Sequence, residues 1–276
     1  MEIWHRVTFG HKDAVEAIIE SLDIKFKRNP LPGGGYLMHV DIVETDPRWP
    51  QIYDLVQRKG AVDMYDTVFT AEEVLSAEWV RLRPNFEQGF PQPQEEMKKW
   101  RQITYEDYCP ECGAGYRQKA PFRLAKEPRL GKHDFLCLFW TYTAFCTFKV
   151  LQVLQAHQVR GYEVWPAVIH RTGEPSKVVS QLVSPAVAGP GLADVDRQQP
   201  ETCPRCGITK YAYHKRDRMH LRRETLRPDT DIQLTHEWFG SGGHAAFREI
   251  LISNALARLI LENGWRGVAL KPVELV

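Results

Sequence analysis

Two short segments, Cys109-Pro110-Glu111-Cys112-Gly113 and Cys203-Pro204-Arg205-Cys206-Gly207, constrain this chain more than any other feature. Each reads C-P-x-C-G, and together they use four of the six cysteines. A Cys-x-x-Cys turn aims two thiolates at one point, and two such turns supply the four soft ligands of a closed tetrahedral zinc site. The glycine after each second cysteine lets the chain turn tightly, so that backbone N–H groups approach the sulfurs. Common zinc ribbons leave about 15–20 residues between their pairs, whereas about 90 lie between Cys112 and Cys203. A site shared by Cys109, Cys112, Cys203 and Cys206 therefore closes a long loop and ties distant parts of the chain together. Its zinc would be structural, because four thiolates leave no open position.

Other uses of the cysteines stay open. A redox-active dithiol wants a strand before the pair and an amphipathic helix after it. Residues 102–108 suit a strand, but Gly113-Ala114-Gly115-Tyr116-Arg117 starts no helix. A disulfide needs an oxidising compartment. Met1-Glu2-Ile3-Trp4-His5 lacks the basic and then apolar opening of a secretion signal. The expected location is the cytoplasm. Zinc is the favoured reading, with a redox pair, a disulfide or unpaired thiols as alternatives.

A chain of 276 residues forms one large domain or two modest ones. Its net charge of +1 gives no field that argues for nucleic acid or a membrane. No run of 18 apolar residues suggests a membrane span.

The first hundred residues alternate between patterns. Residues 3–9, 36–43 and 62–69 read as strands. Residues 11–22 read as a helix, 50–57 as a helical turn, and 71–80 as a helix with Thr70 and Glu73 in a capping-box pattern. The middle is rich in aromatic and β-branched residues, which favours strands over 115–124, 135–148, 162–169 and 178–183. Residues 149–157 can continue as a helix. A linker over 185–200 leads to the second cysteine pair. Strands are expected over 208–221, 232–239 and 268–276, and a long buried helix over 244–263, stopped by Asn263-Gly264. The fold class is α+β, with mixed or mostly antiparallel sheets and a few helices around a discontinuous, zinc-ribbon-like site of four cysteines. Residues 1–100 form an N-terminal α+β region. Residues 101–276 hold the ribbon, an inserted β-rich segment over 114–202 and the C-terminal helix and strand, and the whole can be one integrated domain.

The sharpest charge feature is the segment 210–223. Read as a strand, it puts His214, Arg216, Arg218, His220 and Arg222 on one face. Beside a zinc ribbon such a face can contact phosphates or an acidic protein partner. It can equally be solvated or paired with acids of this chain. His220, His236 with Glu237, and His244 are candidates only by residue type, since no H-E-x-x-H pattern appears. Gly240-Ser241-Gly242-Gly243 reads as a loop, without the Lys-Ser or Lys-Thr of a phosphate loop and without a nucleophile elbow at Ser241. Cys137 and Cys146 lie in an apolar run and read as core, as do Phe139, Trp140, Tyr142, Phe145 and Phe148, of which an exposed subset can anchor a partner.

The paired C-P-x-C-G motifs resemble those of the double-CXXCG-motif family of myxobacterial type, which includes Sit-type toxin-immunity proteins. The tail is similar too: Glu237-Trp238-Phe239-Gly240, then Ile250-Leu251-Ile252-Ser253, then Gly264-Trp265-Arg266-Gly267-Val268 and Pro272-Val273. The resemblance covers about the last 170 residues, and the first hundred carry no matching motif. It implies an immunity protein that binds and neutralises one cognate protein toxin without catalysis. Arg216, Arg218 and Arg222 are the candidate partner contacts. The alternative is a nucleic-acid-binding zinc-ribbon protein, and an enzyme with a cleft in the first hundred residues ranks last, because nothing there has catalytic spacing.

Overall fold

The computed structural model describes residues 1–94, 99–195, 199–241 and 246–276. The chain divides into two compact units. One is Met1–Thr70 with the short segment Lys215–Asp217, and the other is Ala71–His214 with Arg218–Val276. Residues 71–100 thus go with the cysteine motifs.

The first unit is a four-stranded antiparallel sheet with two helices among its described residues. Its strand order is Phe26–Pro30, Tyr36–Val43, Glu2–Gly10, Val62–Val68. Period-two alternation turns Val7, Phe9, Met38, Val40 and Ile42 to one face, where they are buried. The helix Trp49–Lys59 covers this face with Trp49, Ile52, Leu55 and Val56, at helical spacing. Pro50 suits its first turn, and Gly60 ends it in the left-handed conformation. The expected helix over 11–22 shortens to Glu16–Ser21, because Ala14 takes a positive φ of 52° after a 3-10 turn at His11–Asp13. Lys215–Asp217 attaches to the strand Val62–Val68. The Thr67 N–H and hydroxyl both donate to the Lys215 carbonyl at 2.9 Å, and the Asp217 N–H donates to Thr67 Oγ1 at 2.9 Å.

The second unit is built on two five-stranded sheets. In one, Trp79–Pro84 is central, between Val268–Leu275 and Ile250–Ser253, with Met219–Leu221 and Ile232–Leu234 at the edges. In the other the order is Arg123–Leu124, Glu163–Ile169, Pro175–Val183, Phe145–Thr147, Phe135–Leu136. The helices Phe148–Ala156 and Asn254–Glu262 begin at side-chain caps, Thr147 and Ser253. With six α-helices among the described residues and mostly antiparallel pairing, the α+β class expected from the sequence is observed.

Three sequence expectations are corrected here. The helix expected over 244–263 starts only at Asn254. Ile250–Ser253 is instead a buried strand beside Trp79–Pro84, and His244 lies outside the described residues, as do Gly242 and Gly243. The helix expected over 71–80 stops at Ser76, and Trp79 and Val80 open the central strand. The one or two long strands expected over 208–221 are two strands of only three residues, Thr209–Tyr211 and Met219–Leu221, separated where Asp217 takes a φ of 60°.

Candidate metal centre

Each C-P-x-C-G motif sits at the end of a short antiparallel ladder. Tyr105–Glu106 pairs with Arg117–Gln118 around the first motif, and Glu201–Thr202 pairs with Thr209–Tyr211 around the second. Inside each turn the same bonds recur. The Gly113 N–H donates to the Cys109 carbonyl at 2.8 Å, and the Gly207 N–H to the Cys203 carbonyl at 2.9 Å. The Cys109 N–H donates to the Ala114 carbonyl at 2.8 Å, and the Cys203 N–H to the Ile208 carbonyl at 3.0 Å. Gly113 and Gly207 have φ of 75° and 73°, left-handed values that explain why glycine follows both second cysteines.

The two turns face each other. All four sulfurs lie within 4.8 Å of one another. Cys109 Sγ is 3.9 Å from Cys203 Sγ, and Cys112 Sγ is 3.6 Å from Cys206 Sγ. A tetrahedron with metal–sulfur bonds of about 2.3 Å has edges of about 3.8 Å, so the donor set and its spacing suit a metal ion and are consistent with zinc. These separations exceed the bond of about 2.05 Å that a disulfide requires, and all six cysteines are free.

The Cys112 backbone amide aims at Cys109 and lowers its thiol to about 7, whereas burial pushes Cys112 up to about 12. Four crowded thiols do not ionise together unless a cation sits among them. Cys109, Cys112 and Cys203 are buried, and Cys206 is exposed. Trp238, Ala114, Tyr116 and Ile208 pack around the cluster. The Arg248 guanidinium lies 4.7 Å from the Trp238 ring centroid, and burial lowers its pKa.

The basic residues expected on one strand face are dispersed. His214 is buried. Arg216 donates to both oxygens of Glu44, at 2.7 and 2.8 Å. Arg218 pairs with Glu274 at 3.2 Å, and His220 with Asp194 at 2.6 Å. Arg222 is exposed. The single strand that would align them is broken between Tyr211 and Met219. Of the other candidates, His236 is exposed, and Glu237 is buried with its Oε1 accepting the Gly191 and Leu192 N–H groups at 2.7 and 3.0 Å. Cys137, Cys146 and Phe145 are core residues as expected, while Trp140 and Phe148 are exposed.

Sequence reading missed Trp238, Tyr116 and Arg248 as neighbours of the cluster. The only signal was Trp238 in the Glu237-Trp238-Phe239-Gly240 tail pattern, and its strand, Trp238–Phe239, pairs with Thr209–Tyr211 beside the second turn. No family model matches the chain, and no curated protein matches it. Among the described residues no helix is long and apolar enough to cross a membrane.

Proposed function

We propose that this protein is a cytoplasmic immunity protein that binds and neutralises one cognate bacterial toxin, with a structural zinc held by Cys109, Cys112, Cys203 and Cys206. The observation that carries this reading is the closed tetrad of sulfurs formed by the paired C-P-x-C-G turns, the motif on which the family resemblance rests. Four thiolates saturate the metal, so its work is to hold the scaffold and not to activate a substrate. Neutralisation by binding asks for a complementary face and no turnover.

Arg222 is the best-placed of the three arginines to meet a partner. It is exposed, and no acid pairs with it among the described residues, whereas Arg216 and Arg218 are already engaged by Glu44 and Glu274. The exposed rings of Trp140 and Phe148 are the aromatic candidates. Ion pairing within the chain also removes much of the support for nucleic-acid binding, the alternative reading.

Co-expression with a toxin encoded next to this chain tests the proposal. Protection from that toxin, together with co-purification of a complex, is the expected result. A chain that leaves the toxin active and binds DNA in a salt-sensitive way would replace the immunity reading with the alternative.

A further inference from the structure

A cavity of about 980 Å³ opens inside the second unit, against the inner wall of the cysteine cluster. Its wall is mostly hydrocarbon and ring, with Leu82, Tyr105, Tyr142, Trp165, Leu234 and Ile250 among the lining residues. Protein interiors pack densely and leave few voids larger than a water, and a space this large is at the upper end of small-molecule sites, about 300–1,000 Å³.

Most polar groups in the wall already have partners. Gln118 and Gln181 exchange side-chain amide bonds at 2.8 and 2.7 Å. Glu237 holds the Gly191 and Leu192 amides, and Arg117 reaches Glu106 at 2.8 Å. Arg248 differs. Its guanidinium makes no hydrogen bond or ion pair with a described residue, and the side chain stands half-buried in the wall. The guanidinium lies over the face of Trp238, which offers only a weak acceptor to a half-buried cation. A half-buried guanidinium without a counter-ion is open to an anion, and its fork matches a carboxylate with two parallel bonds.

We propose that this cavity binds a small, largely apolar carboxylate, its anionic end on the Arg248 guanidinium and its hydrocarbon or ring body against the aromatic wall. The proposal does not depend on the immunity reading. The wall supplies apolar area and ring stacking, and Arg248 supplies the charge that distinguishes an acid from its neutral analogue. An uncharged ligand of the same shape fills the same space but leaves the guanidinium without its acceptor.

Fluorescence anisotropy on the zinc-loaded full chain, with 1-pyrenebutyrate and 1-pyrenebutanol as probes, tests this. The acid should bind saturably at one site per chain, and the alcohol about tenfold more weakly or worse. Arg248→Met keeps the apolar stem and removes the charge, and it should erase the difference between the two probes with zinc content and melting unchanged. Val183→Trp, on the cavity wall, should weaken both. Equal affinity of the unmodified chain for acid and alcohol would overturn the proposal, as would binding of neither. If Arg248→Met loses its zinc or unfolds, the comparison of acid with alcohol on the unmodified chain decides alone.

Discussion

Arg81 and Glu249 form an ion pair at 3.0 Å with their side chains only 1% and 4% exposed. Arg81 lies on the central strand Trp79–Pro84, and its guanidinium also donates to the His214 carbonyl at 3.3 Å and meets His214 Nδ1 at 3.2 Å. Two charges leave water at a high cost, which mutual attraction offsets only while both are present. Glu249→Leu or Arg81→Met alone should each destabilise the second unit by about 3–5 kcal/mol. Replacing both at once, Arg81→Met with Glu249→Leu, should recover most of that loss. Urea denaturation of the four chains as a double-mutant cycle measures the coupling, and additive losses would show that the pair does not act as a unit.

His214 makes the same interior sensitive to pH. Burial, with the Arg81 charge beside it, holds its imidazole down at about 3. An unfolded histidine titrates near about 6.5. Between those values the unfolded chain takes a proton that the folded chain refuses, so the unfolded state binds more protons and stability falls as pH falls. The contribution is complete above about 6.5 and is lost progressively toward about 3. His214→Asn should flatten the pH dependence of the urea midpoint across that window relative to the parent. Parallel slopes in the two chains would exclude this role for His214.

Metal removal should be the most damaging single treatment. Elemental analysis should find one zinc per chain, and Cys109→Ser or Cys206→Ser should lose it. Metal-binding free energy is also folding free energy, and a ligand a thousandfold above its dissociation constant stabilises by about 4 kcal/mol. A chelator should therefore lower the melting temperature of the parent and leave that of the serine variants unchanged.

Gly267 should tolerate no side chain. Its φ is 96°, and a Cβ there would stand 2.1 Å from the Phe135 carbonyl oxygen, a backbone atom that cannot swing aside. The Asp134 and Phe135 N–H groups both donate to the neighbouring Arg266 carbonyl, which fixes this approach. Gly267→Ala should cost on the order of 3 kcal/mol from left-handed strain and overlap together. Gly264, also at positive φ but with open space around it, should cost less on the same change. Thermal melts of the two variants side by side give the comparison.

The four-cysteine cluster was legible in the sequence because soft donors at fixed spacing are a local signal, and both turns carry it in full. The strand Tyr36–Val43 was legible because alternating burial on one sheet face leaves a period of two. The reading failed at Ile250-Leu251-Ile252, where a strand in the middle of a sheet is apolar on both faces and reads like a stretch of buried helix. Ser253 was the missed sign: its hydroxyl accepts the Leu256 N–H at 3.3 Å and starts the helix there. The basic face failed for a different reason. Charge pattern along a chain does not report which acids fold up against it, and Glu44 and Glu274 are remote in sequence from Arg216 and Arg218. The Arg248 cavity left no trace, since an unpartnered guanidinium nitrogen is a property of three-dimensional surroundings.

The separation of the two cysteine turns sets a timetable for the growing chain. As the polypeptide leaves the ribosome, Cys109 and Cys112 emerge about 90 residues ahead of Cys203 and Cys206. Closing so long a segment costs only slowly increasing entropy, but a lone pair of thiols binds metal far less tightly than four. The enclosed segment contains every strand of one five-stranded sheet, from Arg123–Leu124 to Pro175–Val183. On the zinc reading, tight capture of the ion waits until that sheet has been synthesised, while four of the five strands of the other large sheet still follow the second pair.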